Sequence, residues 1–310
     1  MLRREMATIA PQQIGRRQRL TWLITALIVM VVIIVGALIL PRTKLLPATM
    51  RQPNPPPFLK GRTRDARWQQ DVNYLANELP RLHVNAFHTL NRTEFQAQVA
   101  ALRDSIPSLT DDEIVLRLMA LVAALGDGHT TLNYTAFYQG EDSWRLYPLS
   151  VAWMEGRWYV VGTDAAHAQL RGAQLVTIDD APIDGIFARV AAEVSADNEM
   201  QRRNEVAPLL VTAEVLHTLG ITTQADQARF GVILPDGQPQ EITLEAVAPG
   251  TLQLQGIQLP AQEIPLALQN PERWYWYTTL PDDGALYFQY DVCAEMADQP
   301  FADFTNELFE

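Results

Sequence analysis

The sequence predicts an α+β chain built from several domains. Three observations predict it. An uncharged apolar run spans residues 20–40, and apolar residues then recur at helical spacing from Trp68 to Leu125. From Tyr147 the pattern changes to short alternating stretches separated by turn residues, with helical stretches between them.

The run LTWLITALIVMVVIIVGALIL carries no charge over residues 20–40. At about 1.5 Å per residue a helix of this length reaches roughly 30 Å, the thickness of a bilayer's hydrocarbon core. Segment 1–19 holds five arginines against Glu5 alone. That basic excess predicts a cytoplasmic N-terminus and a single-pass protein whose bulk lies outside the cytoplasm. A cleaved signal peptide is the rival reading. The run is longer than a usual apolar signal region, and ALILPRTK lacks an A-x-A site, so an uncleaved anchor is favoured. Residues 41–64 contain Pro41, Pro47, Pro53, Pro55, Pro56 and Pro57 and predict a stiff spacer between membrane and folded part.

Charge is divided along the chain. Through Arg64, eleven basic residues against one acid give +10, and the 13 basic and 35 acidic residues that follow give −22. So acidic a body repels phosphate backbones, which excludes nucleic acid as a partner. Cys293 is the only cysteine, so the chain forms no internal disulfide. His83, His88, His129, His167 and His217 do not fall at a metal-ligand spacing, so the sequence calls for no metal.

Residues 65–135 predict a helical domain. Trp68, Val72, Leu75 and Leu79 mark one helix face, ended by Pro80. Phe95, Val99, Leu102 and Ile106 mark a second helix, capped by Asn91 with Glu94 three residues on. Thr110 and Glu113 predict a capping box for a third, whose apolar residues cover more than one stripe, as a helix buried on most sides requires. Gly126 is its expected stop. Asp127 and Gly128 continue the turn, His129 follows, and Thr130 and Thr131 read as the start of a strand. A histidine just past a helix C-terminus is favoured in its protonated form, and Asp127 adds to that. His129 is therefore a candidate acid–base group, although a turn histidine is often only a surface or capping group.

Residues 145–250 predict a small β-rich module. YPLSVAWM and RWYVVGT flank a Glu155–Gly156 turn, and GAQLVTIDDAPI turns at Asp179–Asp180. DGIFARVAAEV reads as a helix with Ile186, Val190 and Val194 on one face. VAPLLVTAEVLHTLG reads as another, stopping at Gly220. ARFGVILPDGQPQEITLEAV reads as a hairpin with Asp236–Gly237 at its tip. This order suggests a PDZ-like fold. Such a fold takes a peptide by strand addition, and a structural spacer that binds nothing is the other reading.

Residues 251–283 read as an aromatic-rich connector. In 284–310, ALYFQYDVC predicts a buried strand ending at Cys293, followed by a helix with Phe301, Phe304 and Leu308 on one face. Strand then helix is half of a βαβ crossover, which predicts an exposed edge and poor solubility for this end.

LHVNAFH, LGDGHT, GAQLVTIDDAPI, DNE and LYFQYDVC with PFADFTNELF occur in the order seen in S41-family peptidases. Over about residues 65–310 the chain resembles these tail-specific, C-terminal-processing and tricorn-like serine proteases. The resemblance implies a helical N-terminal region, a PDZ-like domain and the start of an α/β core of the crotonase/ClpP-like kind. It implies cleavage of peptide or protein substrates by a serine nucleophile, without a cofactor. His129 matches the family's histidine base, with Asp127 and Thr130 as supporting groups.

The nucleophile is missing from the match. Ser105, Ser108, Ser143, Ser150 and Ser195 all lie outside any glycine-rich strand-to-helix turn. Lys44 and Lys60, the only lysines, sit in the spacer, so no Ser–Lys dyad forms. Cys293 has Asp291 and Glu295 nearby rather than a cation, which argues against a reactive thiolate. The expectation is a serine-type endopeptidase truncated before its nucleophile and inactive alone. The alternative is a non-catalytic PDZ-like ectodomain that binds peptide.

Overall fold

The computed structural model describes residues 52–56, 63–140, 143–260, 263–280, 282 and 284–309. The expected anchor, residues 20–40, lies outside the described residues, as does most of the spacer. Among the described residues no helix is long and apolar enough to cross a membrane. The chain is a mixed α/β structure with antiparallel sheets.

Three helices open it: α1 (Arg64–Leu82), α2 (Arg92–Ser105) and α3 (Asp111–Ala123). Both expected capping boxes form, at Asn91–Glu94 and Thr110–Glu113. Helix α1 does not stop at Pro80 but runs two residues further. Arg81, in that extra turn, donates from Nε to Glu78 Oε1 at 3.1 Å and Oε2 at 3.2 Å, which ties the turn back to the helix. Glu78 also accepts from the backbone N–H and Nδ2 of Asn54, at 2.8 and 2.6 Å, so the extended residues 52–56 lie along α1.

Helix α3 belongs to two cores. Ile114, Leu118, Leu121 and the following Leu125 pack with Val72, Phe95, Val99 and Leu102 of α1 and α2. Val115, Leu116 and Met119 face the other way, into the core under the large sheet. Each fully buried aliphatic side chain contributes about 1.5–3 kcal/mol. A helix gripped on both sides is therefore a rigid base for the loop that follows it. Gly126, at φ 70°, turns the chain out of the helix as expected.

The large sheet has the order β1 (Leu149–Met154), β2 (Arg157–Thr163), β3 (Gln174–Ile178), β5 (Gln227–Ile233) and β6 (Pro239–Glu245). The short strands β4 (Ala181–Pro182) and β7 (Gln255–Gly256) pair with β3 and β2. The expected turns form at Glu155–Gly156, Asp179–Asp180 and Asp236–Gly237. Both aspartates of the second take positive φ, 45° and 65°. Helix α4 (Ile183–Val190) follows β4 and buries Ile186 and Val190, but ends before Val194.

The stretch expected as one helix up to Gly220 is two: α5 (Glu199–Leu209) and α6 (Ala213–Thr218). The break is tertiary in origin. Leu146 bridges Thr212, the Tyr147 N–H donates to Val211 O at 2.9 Å, and the Ala213 N–H donates to Arg145 O at 3.0 Å. Those backbone groups serve the extended segment 145–147 instead of a continuous helix.

The final unit is an antiparallel hairpin, β8 (Tyr275–Leu280) and β9 (Ala285–Tyr290), covered by α7 (Phe301–Phe309). Thus β9 pairs with a strand that the sequence reading placed in the connector. Phe304 is buried against Tyr275 and Met296, with Phe301 and Leu308 beside it, so this helix face is not exposed. Cys293 is not in a buried strand: it lies beyond β9, is exposed, and accepts from Tyr290 OH at 3.4 Å.

Candidate active site

The expected strand at Thr130–Thr131 does not form, because the loop after α3 bonds to itself. The Thr130 N–H donates to Asp127 O at 3.1 Å and Thr130 Oγ1 donates to Asp127 Oδ2 at 2.8 Å. The His129 N–H donates to Asp127 Oδ1 at 2.9 Å. Asp127 is thus the hub of the turn, and Thr130 acts on it rather than on the imidazole.

His83, 44 residues away in sequence, completes the hub. The Asn85 N–H donates to His83 Nδ1 at 2.9 Å, which places the ring proton on Nε2, and Nε2 donates to Asp127 Oδ2 at 2.6 Å. These donors, the His129 N–H first, hold the Asp127 carboxyl down at about 2, well below the usual carboxylate range.

Asp197, in the loop before α5, reaches the other side of the turn. Its Oδ1 accepts from the Gly128 N–H at 2.5 Å. Gln201 Oε1 accepts from the Asp197 N–H at 2.9 Å while its Nε2 donates to Gly128 O at 3.3 Å. Gly128 is required here. A Cβ at that position would lie 2.5 Å from Gln201 Oε1 and 2.9 Å from the Asp197 backbone nitrogen.

The result is a specific setting for the imidazole. His129 Nδ1 stands 3.4 Å from Asp197 Oδ2 and 3.8 Å from Asp127 Oδ1, while its side chain is 89 % exposed. Among the described residues no hydrogen bond reaches Nε2. Two carboxylates facing one ring nitrogen favour the tautomer with the proton on Nδ1, leaving the Nε2 lone pair open to solvent. The 3.4 Å separation is longer than a tight hydrogen bond.

The structure therefore brings together all three residues singled out in the sequence, His129, Asp127 and Thr130, and adds His83, Asp197 and Gln201. His83 and Asp197 lie in LHVNAFH and DNE, whose place in the motif order was their only signal. None of the five serines is hydrogen-bonded to His129, and Ser195 is buried.

A second concavity, a cleft of about 710 Å³, lies in the sheet module between Pro148, Asp164, His167, Leu244, Leu252 and Gln255. His167 Nδ1 donates to Asp164 Oδ1 at 2.6 Å on its wall.

No family model matches this chain, and no curated protein matches it. Solved structures do. Mature CPAF complexed with lactacystin is 15% identical with a TM-score of 0.44, and the match covers 59% of this chain and 35% of that one. Mature CPAF alone is 14% identical with a TM-score of 0.40, over 59% of this chain and 34% of that one. The chain thus spans about a third of the length of these solved chains.

Proposed function

We propose that this chain is the base-bearing part of a membrane-anchored, S41-like serine-type peptidase that cleaves protein or peptide substrates outside the cytoplasm. The observation that carries the reading is the setting of His129: Nδ1 faced by two carboxylates, Nε2 free, on a loop anchored by buried Leu125.

The chemistry follows from that geometry. Nε2 accepts the proton of a serine hydroxyl as its oxygen adds to the peptide carbonyl. The imidazolium so formed is stabilised by Asp197 and Asp127 and then protonates the leaving amine. Water repeats the cycle on the acyl ester. Among the described residues none of the five serines is hydrogen-bonded to His129, and the reading leaves the nucleophile unassigned. The PDZ-like reading of residues 145–250 and the α/β start in 284–310 belong to the same proposal.

A second reading, a non-catalytic PDZ-like ectodomain that binds peptide, is favoured by the cleft beside Leu244 and Gln255. One experiment separates the two. The product of the complete coding sequence is assayed for peptide hydrolysis and for labelling by a fluorophosphonate, with and without His129→Ala. The enzyme reading expects turnover that falls about 10³-fold or more in the variant. Peptide binding without turnover, or equal turnover in both proteins, overturns it.

A further inference from the structure

We propose that Asp127, His129 and Asp197 form a binding site for a divalent transition ion of the zinc type, and that the ion switches His129 off as a base. The switching half of this rests on the peptidase reading above, whereas the binding half does not.

The lone pairs are available. Asp197 uses Oδ1 for the Gly128 N–H and keeps Oδ2 free. Asp127 Oδ1 accepts one bond, from the His129 N–H, and a carboxylate oxygen has a second lone pair. His129 Nδ1 faces both. The three ligand atoms lie within 4.8 Å of one another. Zinc bound tetrahedrally to nitrogen and oxygen at about 2.0–2.2 Å spaces its ligands roughly 3.3–3.6 Å apart. The Nδ1–Asp197 separation of 3.4 Å meets that spacing, the Nδ1–Asp127 separation of 3.8 Å needs a small closure, and the Asp127–Asp197 separation, within 4.8 Å, closes by up to about 1.2 Å as the exposed carboxylate of Asp197 turns. An imidazole and two carboxylates suit zinc better than calcium or magnesium, which take oxygen ligands.

The carboxylates are also held in place before any ion arrives. His83 and Thr130 fix Asp127 from behind, through Oδ2, the Gly128 N–H fixes the Asp197 carboxylate through Oδ1, and Gln201 holds the Asp197 backbone. Partners of this kind orient ligands and raise affinity. The exposed His129 ring leaves the fourth position to water, so the ion enters from solvent.

The consequence for catalysis is a change of tautomer. Nδ1 binds the ion through a lone pair that the Nδ1–H tautomer lacks, so the single ring proton of the neutral imidazole leaves Nδ1 and is taken up, through solvent, at Nε2. Nε2 then has no lone pair for the serine proton. The same carboxylates that make His129 a base in the absence of the ion make it a ligand in its presence.

The test uses the full chain with Zn²⁺ as the probe. Isothermal titration calorimetry is run on the wild type, His129→Ala, Asp197→Asn and, as a control for other histidines, His217→Gln, each checked for fold by circular dichroism. We expect one ion per chain, at least about tenfold weaker binding in the first two variants, and unchanged binding in the third. Equal binding in all four proteins overturns the site. In parallel, ¹⁵N NMR of the His129 ring is followed during the titration. A shift of the ring proton from Nδ1 to Nε2 supports the switch, and an unchanged tautomer at saturation overturns it. Neither readout involves hydrolysis, so failure of the peptidase reading shows separately in the cleavage assay.

Discussion

Replacing Asp127 by asparagine removes the hub of the His129 loop at nearly constant volume. The carboxylate accepts three hydrogen bonds, one on Oδ1 and two on Oδ2. Asparagine keeps one acceptor oxygen and turns the other atom into a donor, which then meets the donating His83 Nε2. The native carboxyl is held down from 3.8 to about 2. At about 1.36 kcal/mol per pKa unit this depression corresponds to roughly 2.4 kcal/mol. The side chain is 24% exposed, and solvent screening brings the expected effect to about 1–2 kcal/mol. The sign is fixed by the direction. A depressed carboxyl stabilises the fold above its unfolded value near 4, and that contribution is lost as pH falls through 4 towards 2. Urea unfolding followed by circular dichroism measures this. At pH 7, Asp127→Asn should be about 1–2 kcal/mol less stable than the wild type, and the gap should shrink as pH approaches 2. A gap that is absent at pH 7, or equally wide at both ends, would refute the hub.

Gly128→Ala drives a Cβ into Gln201 and the Asp197 backbone. It should break the Gly128–Asp197 bond, cost about 1–3 kcal/mol in the same unfolding assay, and move the His129 ring resonances. Glu193 lies in a small cavity beside Met119 and Tyr134, with Oε2 lacking a hydrogen-bond partner among the described residues, and burial pushes its carboxyl up to about 7. Stability from this group is full below pH 4.5 and declines as pH rises through 7. Glu193→Gln should therefore gain about 1–2 kcal/mol at pH 8 and little at pH 4. Leu125→Ala, at the root of the loop, should cost about 2–5 kcal/mol and blunt the melting transition.

Local features were legible in the sequence. Both capping boxes, the stop at Gly126 and the turns at Glu155–Gly156, Asp179–Asp180 and Asp236–Gly237 depend on residues within a few positions of one another. The two-sided burial of α3 was legible too, because its apolar residues cover more than one stripe. What failed depended on distant partners. Residues 206–220 have a helical pattern, yet Leu146 claims the backbone at Thr212. Thr130 and Thr131 have strand propensity, yet Asp127 holds Thr130 in a turn. The aromatic stretch of β8 did not declare its pairing with β9. In the site, Asp127 and Thr130 were within reach of a local reading. Asp197, 69 residues from the Gly128 it binds, was not, since no spacing rule connects them.

The central claim is that two carboxylates set the His129 ring so that Nε2 is the free base. The most direct measurement is ¹⁵N NMR of the neutral His129 side chain in the metal-free chain. The account predicts a ring proton on Nδ1, with the Nε2–H form growing in Asp197→Asn. A dominant Nε2–H form in the wild type, unmoved by that substitution, would contradict it.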